Sequence, residues 1–313
     1  MTSKQRLLFI SSDFFDYRKA IQNKFESLNF EVDYIPNKPY YFSGLFNKIF
    51  KKYMVSLYKI YYMFKLYNKK NYDYIFIING EFISSENLQL LLSNSKKAKS
   101  ILYCWDSSIK NKNFKNIYTY FDVVYSFDKN DVYKFNINYK ELFYINSNKQ
   151  NKHTREYYFS FVGSYSKDRY NILKSIKNYA LKYNYDFYFH LFITQVGFTR
   201  EIKKYKNLDK DICRFKKISN TVVSDIIANT KVVIDLPTAD QIGQTMRIFE
   251  CIANNTKILT SNKSILNEKF YNKNMIRILN DNFSIDSSWL NNNGTYNNIE
   301  QYHIENWVNS FFE

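Results

Sequence analysis

Cysteine is scarce in this 313-residue sequence and poorly spaced for chemistry: Cys104, Cys213 and Cys251 stand far apart, with no CxxC pair and an odd total. That pattern speaks against a disulfide framework or a cysteine-held zinc site and fits a reducing cytoplasm. Long apolar runs are missing too. The most apolar stretch, 53–67, is interrupted by Lys59 and Lys65 and falls short of the roughly 20 residues a spanning helix needs. The first strand-like run begins at Arg6, so a cleaved secretory leader is not expected. Only six glycines occur and none forms a GxGxxG fingerprint, so any phosphate-binding turn has to be read from weaker signals.

What is present is apolar and aromatic: 45% hydrophobic residues and 19% aromatics, with 30 Tyr and 28 Phe. One or two buried cores are within reach, and wholesale disorder is excluded. The 45 Lys and Arg exceed the 29 Asp and Glu, giving a formal charge of +16. A basic nucleic-acid-binding protein is therefore one alternative. Lysines spread over both halves, and no zinc-finger or RNP pattern appears, so nucleic acid is not the expected partner. The length favours two domains, and the polar, aperiodic stretch 146–156 marks the boundary between 1–150 and 151–313.

Apolar runs, the mark of parallel strands covered on both faces, occur at 7–11, 74–78, 101–105 and 123–126, and a further strand is expected at 31–35 after the first helix. The second half repeats the rhythm with strands at 158–162, 186–192, 231–236 and 257–260 and helices at 169–183, 222–229 and 245–253. The expectation is an α/β protein of two Rossmann-like domains with parallel sheets facing across a cleft, and a C-terminal helix over 299–312 packing back.

Open parallel sheets bind ligands beyond the carboxyl ends of their strands, which singles out the residues following each run. In the first half these are Ser11 to Asp13, Asn79 to Glu81 and Asp106 to Ser108. Asp13, Asp106 and Glu81 are the candidate general bases. Asp13 might equally cap a helix and Asp106 bond a loop backbone. None of His153, His190 and His303 follows a strand. In the second half the turn at Gly163 and Ser164, with Arg169 shortly after, either holds a phosphate or simply reverses the chain. The densest constellation runs through Gln241, Gly243, Gln244, Thr245, Arg247 and Glu250. Arg247 and Glu250 share a helix face near its start. That places a planar cation where a diphosphate would bind and a carboxylate where ribose hydroxyls would; the plain alternative is a surface ion pair. Asp209-Lys210-Asp211 spells a D-x-D, the pattern of metal-bridged transferases, but it lies in a polar stretch and reads as a solvated loop, so no metal or other cofactor is expected. Finally, 40–70 combines aromatics with lysines, suiting either an anionic membrane interface or a core helix with lysines outward.

Arg247-Ile248-Phe249-Glu250, followed by Cys-Ile-Ala-Asn-Asn-Thr-Lys-Ile-Leu-Thr, resembles the R-x-F-E helix, turn and final strand of two-domain GT-B glycosyltransferases. The similarity extends to the CgeB-like group and to lipopolysaccharide-core and capsule transferases of bacteria. Asp106 in YCWDS, the run 120–131 and FVGSYSKDR at 161–169 support it, in matching order. The resemblance implies a hexosyltransferase, with no metal expected; the location that fits is the cytoplasm, with peripheral contact at the inner face of the membrane as one of the two readings of 40–70. Its donor would be a nucleotide sugar, with Glu250 at the ribose and Arg247, Thr245, Gly163 and Ser164 near the diphosphate. Its acceptor, a surface glycan or lipid-linked sugar, would sit in the N-terminal domain. Many retaining members carry a second glutamate eight residues before the one matching Glu250; here that position is Ile242. A non-catalytic relic of the same fold, serving polysaccharide assembly, is the remaining alternative.

Overall fold

The computed structural model describes residues 4–13, 16–39, 53–145, 155–205, 208–238, 242–279, 283 and 285–313. They form two compact units. The first comprises Met1–Leu142, Asp240–Gly243 and Ile304–Glu313, the second Phe143–Ala239 and Gln244–His303.

In the first unit β1 (Gln5–Ser11), β2 (Phe30–Pro36), β3 (Tyr74–Ile78), β4 (Lys99–Cys104), β5 (Val123–Ser126) and β6 (Asn138–Tyr139) alternate with α1 (Tyr17–Ser27), α2 (Met54–Leu66), α3 (Ser85–Asn94), α4 (Phe114–Ile117) and α5 (Lys129–Phe135). The strands pair in parallel in the order β2-β1-β3-β4-β5-β6. Leu7, Leu8, Phe9 and Ile10 are all fully buried, because helices cover both faces of the strand, and this is why the run is continuous and not alternating. On α1, Tyr17, Ile21 and Phe25 recur every four residues and form its buried stripe.

In the second unit β7 (Tyr157–Ser164), β8 (Phe187–Phe192), β9 (Cys213–Arg214), β10 (Thr230–Asp235), β11 (Lys257–Thr260) and β12 (Ile276–Ile278) alternate with α6 (Lys167–Lys182), α7 (Gln195–Tyr205), α8 (Asn220–Ala228), α9 (Met246–Ala253) and α10 (Ser287–Asn291). This sheet is also parallel, in the order β12-β11-β10-β7-β8-β9. Each sheet thus has a point where the order reverses, β1/β3 in the first and β7/β10 in the second. Crevices at such switch points are where open α/β sheets bind ligands.

All nine expected strands are present. The three not anticipated, β6, β9 and β12, are two or three residues long and lie in the outer part of the sheets, too short to leave a periodic trace. The chain end, counted with the second half by sequence, groups with the first unit. There α11 (Ile304–Asn309) and the residues after it meet a ring cluster of the first sheet. Trp307 stands 4.9 Å from Tyr103, and Phe311 stands 5.0 Å from Phe76 and 5.1 Å from Tyr125. Trp307 Nε1 donates to the Glu141 carbonyl at 2.8 Å. Such rings bury large areas and leave the indole N–H satisfied.

Candidate functional site

At the switch point of the second sheet, Arg169 ties the two strand ends together. Its Nε donates to the Leu236 carbonyl at 2.8 Å and its Nη1 to the Ser164 carbonyl at 2.9 Å. Ser166 caps α6 by accepting from the Arg169 N–H, which seats the arginine in the first turn. β10 ends on Asp235, 5% exposed, whose Oδ1 accepts from Thr245 Oγ1 at 2.7 Å and whose Oδ2 accepts from Thr260 Oγ1 at 2.8 Å. Burial pushes its carboxyl above the ordinary value of 3.8, against the pull of the two hydroxyls and of Arg247 and Arg169. Thr245 occupies the N-cap of α9 in an extended conformation but makes no side-chain cap, since its hydroxyl is given to Asp235. One turn on, Arg247 Nη1 meets Glu250 Oε2 at 2.7 Å, with the two side chains 19% and 14% exposed. Two arginines and two shielded carboxylates thus gather where the sheet order reverses. The arrangement suits an anionic ligand that also carries hydroxyl donors.

The first sheet presents a different chemistry. Asn79 and Gly80, following β3, both adopt positive φ, 61° and 59°. A Cβ at Gly80 would lie 2.6 Å from Ile117 Cδ1, so only glycine fits. Asn113 Nδ2 holds the Gly80 carbonyl at 2.8 Å. From this turn the Asn79 amide reaches across to β4: its Oδ1 accepts from the N–H groups of Trp105 and Asp106 at 2.7 and 2.9 Å, and its Nδ2 donates to Asp106 Oδ2 at 2.9 Å. Asp106 is thereby aimed. Glu81 is half-buried, and burial, then the Asp106 charge, raise its pKa above the ordinary 4.5, with Lys38 opposing. Asp13 is exposed and paired with Arg18 Nε at 3.3 Å. It is not the cap of α1, a position held by Asp16. Ser11, Ser12, Tyr17, Arg18, Trp105 and Asp106 line a small pocket of about 20 Å³.

The structure therefore brings Ser164, Arg169, Thr245, Arg247 and Glu250 to one end of the second sheet, and Asp13, Glu81 and Asp106 to the corresponding end of the first. Three other candidates are engaged in the strand ladder or in packing. Gly163 is inside β7, opposite Leu191 in the ladder, and a Cβ there would meet the Phe161 ring at 2.7 Å. Gln244 is buried, with Nε2 on Ser264 Oγ at 2.8 Å. Gly243 groups with the first unit, where a Cβ would strike the Phe127 ring at 2.5 Å. Gln241 lies outside the described residues. Both carboxylates of the D-x-D are taken by one ammonium, Lys177 Nζ standing 2.7 Å from Asp209 and 2.6 Å from Asp211. His190, inside β8, donates from Nε2 to the Lys216 carbonyl at 2.8 Å, and burial lowers its pKa.

Two residues escaped the sequence reading. Asp235 carried a signal, an acid closing the buried run VVID. Asp128, 1% exposed, carried the N-cap signal: it accepts from the Asn130 N–H at 2.9 Å and from the Ile242 and Gly243 N–H groups at 3.4 Å.

No protein-family profile and no curated protein sequence matches the chain. Solved structures do. A Listeria monocytogenes protein assigned as a UDP-N-acetylglucosamine 2-epimerase aligns over 99% of this chain and 95% of its own, at 8% identity and a TM-score of 0.54. The lipopolysaccharide outer core galactosyltransferase WaaB aligns over 99% and 92%, at 12% identity and a TM-score of 0.50. The chain has the two-sheet GT-B fold that these structures share.

Proposed function

We propose that this protein transfers a hexosyl group from a nucleotide-sugar donor to a hydroxyl of a bacterial surface glycan, on the cytoplasmic side and without a metal ion. The observation that carries this reading is the charged cluster at the β7/β10 switch point, on a fold shared with sugar-nucleotide enzymes. The Arg247 guanidinium neutralises charge that builds on the departing diphosphate. Glu250 accepts from ribose hydroxyls, with the Ser164 and Thr245 region beside the phosphates. On the first unit, a carboxylate removes the proton of the acceptor hydroxyl as its oxygen bonds the anomeric carbon and the carbon–phosphate oxygen bond breaks. Glu81 is the preferred base because its raised pKa keeps it basic enough to take a hydroxyl proton. Asp106 supports it, and the solvent-facing Asp13 serves acceptor binding.

The test is a thermal-shift panel of nucleoside diphosphates and nucleotide sugars with and without EDTA, since a ligand that binds the folded state raises its apparent stability. Stabilisation by a nucleotide sugar that survives EDTA, and that disappears in Arg247→Ala and Glu250→Ala, is expected. No response to any nucleotide, together with retention on random-sequence DNA, overturns the reading. The structural likeness to an epimerase supplies a second reading. Conversion of the donor to its epimer without any acceptor decides for that one.

A further inference from the structure

Helix α2 is apolar on two faces, and among the described residues only one of them is covered. Tyr58, Tyr62 and Leu66 are buried against the first unit. On the other side Ile60, Met63, Phe64 and Tyr67, at the i, i+3, i+4, i+7 spacing of a single helix face, are 47%, 45%, 73% and 76% exposed. A helix that is hydrophobic all round is normally enclosed all round, and a grouped apolar stripe on a surface marks something that binds there. Within 53–72 the charged side chains are all lysines, Lys59, Lys65, Lys69 and Lys70, with no acid in the segment. Lys69 pairs with Asp33 at 2.9 Å and Lys59 with Glu86 at 3.2 Å, while Lys65 and Lys70 are exposed.

We propose that this face of α2 docks on an anionic lipid bilayer. Phe64, Tyr67, Ile60 and Met63 enter at headgroup level, and the lysine heads reach back to lipid phosphates. A second copy of the chain is a poorer occupant, because joining the two stripes would set lysines against lysines with no acid in the segment to answer them. A bilayer of anionic lipid answers the exposed Lys65 and Lys70 and attracts them before contact. The docking does not depend on what the protein catalyses. One consequence does rest on the transferase reading: the inner face of α2 stacks Tyr58 on Phe82 at 4.3 Å, next to Glu81. The docked helix then holds the Glu81 loop about one helix diameter, roughly 10 Å, from the lipid, where a lipid-linked acceptor would present its sugar.

The experiment is co-sedimentation of the full chain with vesicles of phosphatidylcholine alone or mixed with phosphatidylglycerol, without nucleotide. Binding to the anionic vesicles only, falling as salt is raised, is expected. Phe64→Ser with Tyr67→Ser should weaken it about tenfold or more. Lys65→Glu with Lys70→Glu should remove the preference for phosphatidylglycerol. All four side chains point outward, and an unchanged thermal melt confirms that the variants fold. A solvent-sensitive fluorophore on Phe64→Cys should shift to the blue on the same vesicles. Absence of sedimentation, or sedimentation that both double variants leave intact, overturns the proposal. So does a concentration-dependent dimer in analytical ultracentrifugation that the Phe64→Ser, Tyr67→Ser variant abolishes, which would give the stripe to a second copy.

Discussion

The two sheets end in opposite electrostatic conditions. At the β1/β3 switch point the candidate carboxylates outnumber nearby cations, and burial, then the Asp106 charge, raise the Glu81 pKa. At the β7/β10 switch point each carboxylate has an answer: Asp235 two hydroxyls, Glu250 the guanidinium of Arg247. One end is therefore suited to accepting a proton at a carboxylate whose pKa is raised, the other to holding fixed charge against a ligand. The same architecture, used twice, supplies two chemistries because the residues following the strands differ while the strands do not.

The sharpest way to break this contrast is to remove that carboxylate. Glu81→Gln keeps the shape and deletes the base, and turnover with saturating donor should fall by about 10²- to 10⁴-fold while donor-induced thermal stabilisation is unchanged. A loss of donor binding in that variant would erase the distinction between the two ends. The next largest effect lies in the second sheet. Asp235→Ala leaves the buried hydroxyls of Thr245 and Thr260 without their acceptor and should cost about 2–4 kcal/mol in denaturant unfolding. Because the folded pKa of Asp235 lies above its unfolded one, the native state binds more protons. Its contribution therefore declines as pH rises from the ordinary carboxylate range through the raised value; Asp235→Asn should flatten that part of the stability–pH curve.

A smaller effect probes packing where chemistry was expected. Gly243→Ala forces a Cβ against the Phe127 ring and its carbonyl, the latter 2.8 Å away, and should destabilise by about 1–3 kcal/mol in thermal unfolding without altering the pH dependence of activity. The smallest change refines the first sheet. The acid limb of the activity profile should lie above the ordinary glutamate value because burial and then Asp106 raise the Glu81 pKa. Asp106→Asn removes the second cause, so the limb should move to lower pH by less than the whole displacement. A limb that stays in place would mean that Glu81 is not the titrating base.

Much of this was legible in order of physical locality. Parallel strands buried on both faces announce themselves as unbroken apolar runs, so YIFII at 74–78 and VVYS at 123–126 appear at their observed bounds. The loops that follow those runs could be named as well. The neighbours of each were not legible. At Gly163 and Gly243 a Cβ would meet the rings of Phe161 and Phe127, and the Gln244 amide meets Ser264 Oγ.

The amino-acid order by itself determined which segments become strands and helices, and placed Arg247 and Glu250 three apart on one helix, since hydrophobic periodicity and i,i+3 geometry act over a few residues. Only the tertiary structure decided what those side chains meet. Strand order, which sets β10 beside β7 and so lets Arg169 reach Leu236, depends on contacts between residues 67 apart in the chain. The covering of the first sheet by Trp307 and Phe311 depends on ones farther still. Such pairings are chosen by the packing of whole faces and leave no periodic mark in the residues themselves.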